Sequence, residues 1–102
     1  MSQANQHDSI RPIQWVDDQL LLLDQRELPG KETYLVIQDV DGVYNAIHSM
    51  VVRGAPAIGI TAAYGVIFSA RAHFARQPAT WLKNVEHDVQ RLRGARPTAV
   101  NL

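Results

Sequence analysis

The chain of 102 residues contains no cysteine. Disulfides, thiolate catalysis and Cys-ligated zinc are thereby excluded within these residues. It carries no net charge: ten Lys and Arg balance ten Asp and Glu. A general nucleic-acid binder has a marked basic excess, so that class is disfavoured. No uninterrupted hydrophobic run is long. The most apolar stretch, Gly54 to Ala70, is flanked by Arg53 and Arg71 and contains Pro56, Gly59 and Gly65. It falls short of the ~20 residues that span a bilayer and reads as a buried helix. Met1 to Ser9 are polar and lack the apolar segment of a secretory signal. The expectation is a soluble, cytoplasmic chain with neither membrane nor nucleic acid as partner. Internal repeats and low-complexity tracts are also missing.

What is present fits one small globular domain. Hydrophobic residues make up 46% of the chain, enough for one modest core. The charges are unevenly placed. Residues 1–41 hold eight acids and three bases, and residues 42–102 hold two acids and seven bases. A solvated face explains such asymmetry, and so does an anion site in the second part.

The hydrophobic pattern changes period near residue 39. Before it, Arg11 to Trp15, Leu20 to Leu23 and Tyr34 to Ile37 read as short strands, with a hairpin turn at Asp17-Asp18 and a break at Leu28-Pro29-Gly30. After it, Val40, Val43, Tyr44, Ile47, Met50 and Val51 share one helical face, with Asp39 as N-cap. A second helix is expected from Pro56 to about Arg76. It is apolar all round at first, with Gly59 and Gly65 marking close backbone approach. A third helix starts at Thr80 and buries Trp81, Val85, Val89 and Leu92. Its Lys83, Asn84, Glu86, His87, Asp88, Gln90 and Arg91 are expected to face water, and Gly94 to end it. Arg96-Pro97-Thr98 resembles another helix start, so the chain reads as cut inside an element. Residues 1–9 read as a disordered tail and residues 10–102 as an α+β domain, a three-stranded antiparallel sheet followed by a helical bundle.

The strongest chemical constellation is Arg53-Gly54-Ala55-Pro56-Ala57-Ile58-Gly59. Glycine permits close backbone approach, the helix start offers free N–H groups, and the arginine adds a fork of donors. These are the parts of a phosphate or carboxylate cradle. Arg96-Pro97-Thr98 repeats the device. Two plain helix starts with solvated arginines explain the same residues. Gly54 to Thr61 approaches the nucleotide-binding pattern G-x-x-x-x-G-K-[ST], but Ile60 stands at the lysine position, so a nucleotide triphosphatase is rejected. His7, His48, His73 and His87 show no metal-ligand spacing. Asp17-Asp18 and Asp39/Asp41 are explained as turn and cap residues, and no nucleophilic triad is arranged.

Several segments carry a family resemblance. Arg11 to Trp15, Leu22 to Pro29, Val52 to Gly59 and Arg96 to Leu102 resemble, in order and spacing, the S-methyl-5-thioribose-1-phosphate isomerase family of methionine salvage. The resemblance covers the chain from Arg11 to its end, the N-terminal part of the family. It implies an aldose–ketose isomerase acting on 5-methylthioribose 1-phosphate, with Arg53, Gly54, Ala55 and Arg96 at substrate-binding positions and no metal or organic cofactor. It also implies a homodimer and a further C-terminal Rossmann-like domain bearing a catalytic cysteine and aspartate. No catalytic residue is therefore expected in this chain. Asp18 departs from the family's usual glycine. Two relatives of the family keep other readings open: a sugar-1-phosphate isomerase for 5-deoxyribose 1-phosphate or ribose 1,5-bisphosphate, and a non-enzymatic regulatory module that senses phosphorylated ligands.

Overall fold

The computed structural model describes residues 11–96. The expected tail and the helix start at Pro97-Thr98 lie outside the described residues. Within them, strands β1 (Ile13–Val16), β2 (Gln19–Leu23) and β3 (Tyr34–Ile37) form an antiparallel sheet in the order β1-β2-β3. Three helices follow: α1 (Val40–His48), α2 (Ala55–Arg76) and α3 (Trp81–Ala95). The α+β class read from the sequence is the observed one.

Asp17 and Asp18 both take left-handed backbone, with φ of 53° and 63°. Two such residues match the twist of a two-residue hairpin, and they pair Trp15 with Leu20 and Ile13 with Leu22. On β2, Leu20 and Leu22 are fully buried, while Val36 on β3 points outward. One face of the sheet therefore lies on the helices. Trp15 reaches across from β1, stacking on Tyr64 at 5.1 Å and meeting Phe68 at 5.4 Å, both on α2.

After β2 the chain makes a short 3₁₀ turn, Gln25–Glu27, capped by the buried Asp24. Asp24 accepts from the Arg26 backbone N–H at 3.0 Å and from its guanidinium at 2.8 and 2.7 Å. The Leu28-Pro29 peptide in the expected break is cis.

Asp39 caps α1 as expected, accepting from the Gly42 N–H at 2.7 Å. The helix ends earlier than its apolar spacing suggests. Met50 has φ of 70° and is 41% exposed, so it does not belong to the buried face. It occupies the left-handed position just past the helix end, where the Val51 N–H closes back on the Ala46 carbonyl at 3.0 Å. That closure turns Val51 and Val52 into the core.

Helix α2 runs for 22 residues and is, by length and composition alone, long and apolar enough to cross a membrane. The apolar run thus extends further than its sequence reading as a sub-membrane length. Here it packs between α1 and α3. It is not buried all round: Ile60, Ile67 and Phe74 lie exposed along one side. Gly65 does mark a close approach. A Cβ there would sit 2.9 Å from Val43 Cγ1 and 3.1 Å from Leu92 Cδ1. Gly59 does not, having nothing within 4 Å of that position.

Helix α3 buries Val85, Asp88, Leu92 and Ala95. The stripe is rotated from the expected one, which put Val89 inside and Asp88 in water. The cause is polar pairing: the Ser69 hydroxyl donates to Asp88 Oδ2 at 2.6 Å, and His73 Nε2 lies 2.9 Å from the same oxygen. Thr80 makes no side-chain cap, and Gly94 lies inside the helix, which runs on to Ala95 with Arg96 as its C-cap.

Candidate functional site

The closure at Met50 delivers the chain through Val52 to Arg53 and Gly54. Gly54 has φ of 91°, a backbone that side chains disfavour. It precedes α2 as an N-cap that supplies no side-chain hydrogen bond, and Pro56 falls in the first turn. The Ala55 and Ala57 N–H groups have no partner inside their own helix, and the helix dipole adds partial positive charge there. Arg53 is exposed, and no described acid pairs with it.

Arg96 lies 44 positions away from Val52 in sequence, yet its Nη1 donates to the Val52 carbonyl at 3.0 Å. The end of α3 is thus fastened to the loop that opens α2. Of the residues picked out in the sequence, Arg53, Gly54 and Ala55 are contiguous, and Arg96 is brought to them by this bond. The result is two guanidinium groups and uncapped N–H groups at one corner of the molecule. Chemically this can hold and orient a dianion such as a phosphate. Arg53, Gly54, Ala55 and Arg96 offer no acid or base of their own.

One further residue was not expected at this corner. His48, the last residue of α1, has Nδ1 3.3 Å from the Ala95 carbonyl, one residue before Arg96. The sequence treated it as an ordinary partly buried or surface histidine. Its place at the end of α1, shortly before Arg53, is the only sequence signal.

A second polar cluster lies elsewhere. Ser69, His73 and Asp88 meet between α2 and α3, about 20 Å along α2 from Ala55 at 1.5 Å per residue. Ser69 and His73 both contact the same carboxylate oxygen, so the serine is not oriented by the histidine and the trio lacks the order of a nucleophilic triad. Arg91 Nη1 lies 3.8 Å from the other Asp88 oxygen. The cluster is a buried polar tie between helices. Among the described residues no group of His, Asp and Glu could hold a metal ion.

No protein-family model matches the chain. Individual relatives do. The chain is 53% identical over 96 residues to a methylthioribose-1-phosphate isomerase of Alkalilimnicola ehrlichii, covering 94% of this chain and 28% of that protein. It is 53% identical over 94 residues to the isomerase of the same name from Methylococcus capsulatus, covering 92% and 27%. Among solved structures it superposes on 5-methylthioribose 1-phosphate isomerase from Pyrococcus horikoshii with a TM-score of 0.79 and 32% identity, over 87% of this chain and 25% of that one. It superposes equally well, at 0.79 and 34% identity, on the delta subunit of translation initiation factor eIF-2B from A. fulgidus, over 89% and 26%. In sequence and fold the chain is therefore similar to methylthioribose-1-phosphate isomerases, of whose length it spans about a quarter.

Proposed function

We propose that this chain supplies the phosphate-holding part of an isomerase that converts 5-methylthioribose 1-phosphate into 5-methylthioribulose 1-phosphate. Arg53, Gly54, Ala55 and Arg96 hold the substrate phosphate. The observation that carries the reading is the 3.0 Å bond from Arg96 to the Val52 carbonyl, which sets a second guanidinium beside the Arg53–Gly54–Ala55 helix start. In this substrate the anomeric oxygen is esterified to phosphate, so simple opening to a free aldehyde is blocked. The enzyme must assist loss of the ring oxygen and move hydrogen from C2 to C1. Fixing the phosphate from two sides sets C1 and C2 in a defined place for that step. The proton- or hydride-transferring groups lie outside this chain, and the whole enzyme works as a cytoplasmic homodimer.

The test is a graft. This chain replaces the corresponding quarter of the Alkalilimnicola ehrlichii relative, and conversion of 5-methylthioribose 1-phosphate is assayed. The graft should turn over, and Arg53→Ala within it should weaken substrate binding at least about tenfold, the loss of a charged hydrogen bond. An inactive but folded graft would contradict the isomerase reading, and unchanged affinity in the Arg53 variant would reduce Arg53 to a helix-start residue.

The likeness to the initiation-factor subunit favours a second reading, a regulatory module that senses a phosphorylated ligand. It separates from the first by the same assay: the graft would bind sugar phosphate and not turn it over.

A further inference from the structure

We propose that His48 is a positioning residue for this anion site, acting through the end of α3 on Arg96. The inference rests on the reading that Arg96 and the Arg53–Gly54–Ala55 loop hold a phosphate. Helix α1 presents Asp41, Tyr44 and His48 on one face, at spacings of three and four residues. Each engages α3 or a group held by it. Arg91 Nη2 pairs with Asp41 Oδ1 at 2.6 Å, and the Arg91 guanidinium lies 4.9 Å over the Tyr44 ring. Tyr44 in turn stacks on His48, the rings 5.6 Å apart and 11° from parallel. His48 ends the seam on the Ala95 carbonyl.

A carbonyl oxygen only accepts, so Nδ1 of His48 carries the proton in that bond. The stacked Tyr44 limits how the ring can turn. The next residue along α3 is Arg96, whose guanidinium spans to the Val52 carbonyl at 3.0 Å. Two bonds on adjacent residues thus fasten the end of α3, one to α1 and one to the loop that begins the anion site. Without the first, the end of α3 is free to fray and carry Arg96 off Val52. The exposed face of α1 then has a task that capping and core packing do not explain.

The experiment compares the full 102-residue chain with His48→Ala and His48→Asn by ¹H–¹⁵N NMR. Asparagine places Nδ2 where histidine has Nδ1 and can donate to the Ala95 carbonyl; alanine cannot. Without ligand, His48→Ala should move the Arg53, Gly54 and Ala55 amide signals and broaden the Arg96 side-chain N–H, and His48→Asn should restore them. Titrated with 5-methylthioribose 1-phosphate, His48→Ala should bind roughly 3- to 10-fold more weakly, the loss of one positioning hydrogen bond, with recovery in the asparagine variant. If His48→Ala does not fold, His48→Gln, whose donor lies one bond further out, takes its place in the comparison. Unmoved loop amides, or no rescue by asparagine, would overturn the inference. Arg53→Ala in the same titration separates the two readings. If it leaves affinity unchanged while the His48 pattern holds, the phosphate site is wrong and the tie to Arg96 stands. If it weakens binding while His48→Ala moves nothing, the tie alone is wrong.

Discussion

Gly59 and Gly65 lie on the same helix, yet the space at each is different. A methyl group at Gly65 would push against Val43 and Leu92, both fully buried side chains with no room to retreat. Gly65→Ala should therefore cost about 1–3 kcal/mol, the penalty of overpacking. At Gly59 a methyl group meets nothing within 4 Å. Gly59→Ala should stabilise by roughly 0.5–1 kcal/mol through helix propensity. Urea unfolding of the two variants checks the opposite signs. Asp24 gives a prediction in pH. The hydrogen bond from the Arg26 side chain holds its carboxyl below the usual carboxylate range, against the opposing effect of burial. The unfolded chain then takes up the proton first as pH falls. The contribution of Asp24 is complete above its unfolded value of about 3.9 and is lost as pH drops through the lower folded value. Asp24→Asn should flatten that acid limb in thermal melts followed from pH 6 to 2. A limb as steep as in the parent chain would show that other carboxylates cause it.

Between elements, the tie of α2 to α3 is polar as well as apolar. Asp88 accepts from Ser69, whose hydroxyl is fully buried, and contacts His73. Asp88→Ala should cost about 1–3 kcal/mol, since a buried donor is left unpaired. Ser69→Ala should cost less, because Asp88 keeps His73 and Arg91 beside it. Chemical denaturation of both variants reads the order, and equal costs would contradict it. This cluster also shows where sequence reading fails. The hairpin at Asp17-Asp18, the three strands and the Asp39 cap depend on neighbours in sequence, and they are legible there. The stripe of α3 is less so. Val85, Asp88, Leu92 and Ala95 recur at helical spacing, but a carboxylate among them reads as solvated unless its partners on α2 are known. Likewise Met50 continues the α1 periodicity on paper, while the backbone reverses at that residue.

At the scale of the whole molecule, half of the candidate site is local and half is not. Arg53, Gly54 and Ala55 stand together in the sequence next to Pro56, so the helix start and its anion chemistry can be read directly. That Arg96 joins them depends on how α3 packs back on α1 and α2, and only the fold supplies it. His48 was missed for the same reason. In the proposed reading this corner orients a phosphate, and Arg53, Gly54, Ala55 and Arg96 move no proton. The 102-residue chain by itself should therefore give no detectable turnover of 5-methylthioribose 1-phosphate, general acid–base help being worth typically 10²–10⁴-fold. Turnover comparable with a full-length relative would place catalytic groups among residues assigned here to caps and packing. The central claim is that Arg53 and Arg96 grip one phosphate. It is tested most directly by a double-mutant cycle in the grafted enzyme, with affinity for 5-methylthioribose 1-phosphate as the readout. Each arginine-to-alanine change should weaken binding at least about tenfold, and the pair together by less than the product of the two. Unchanged affinity in either single variant would contradict the account.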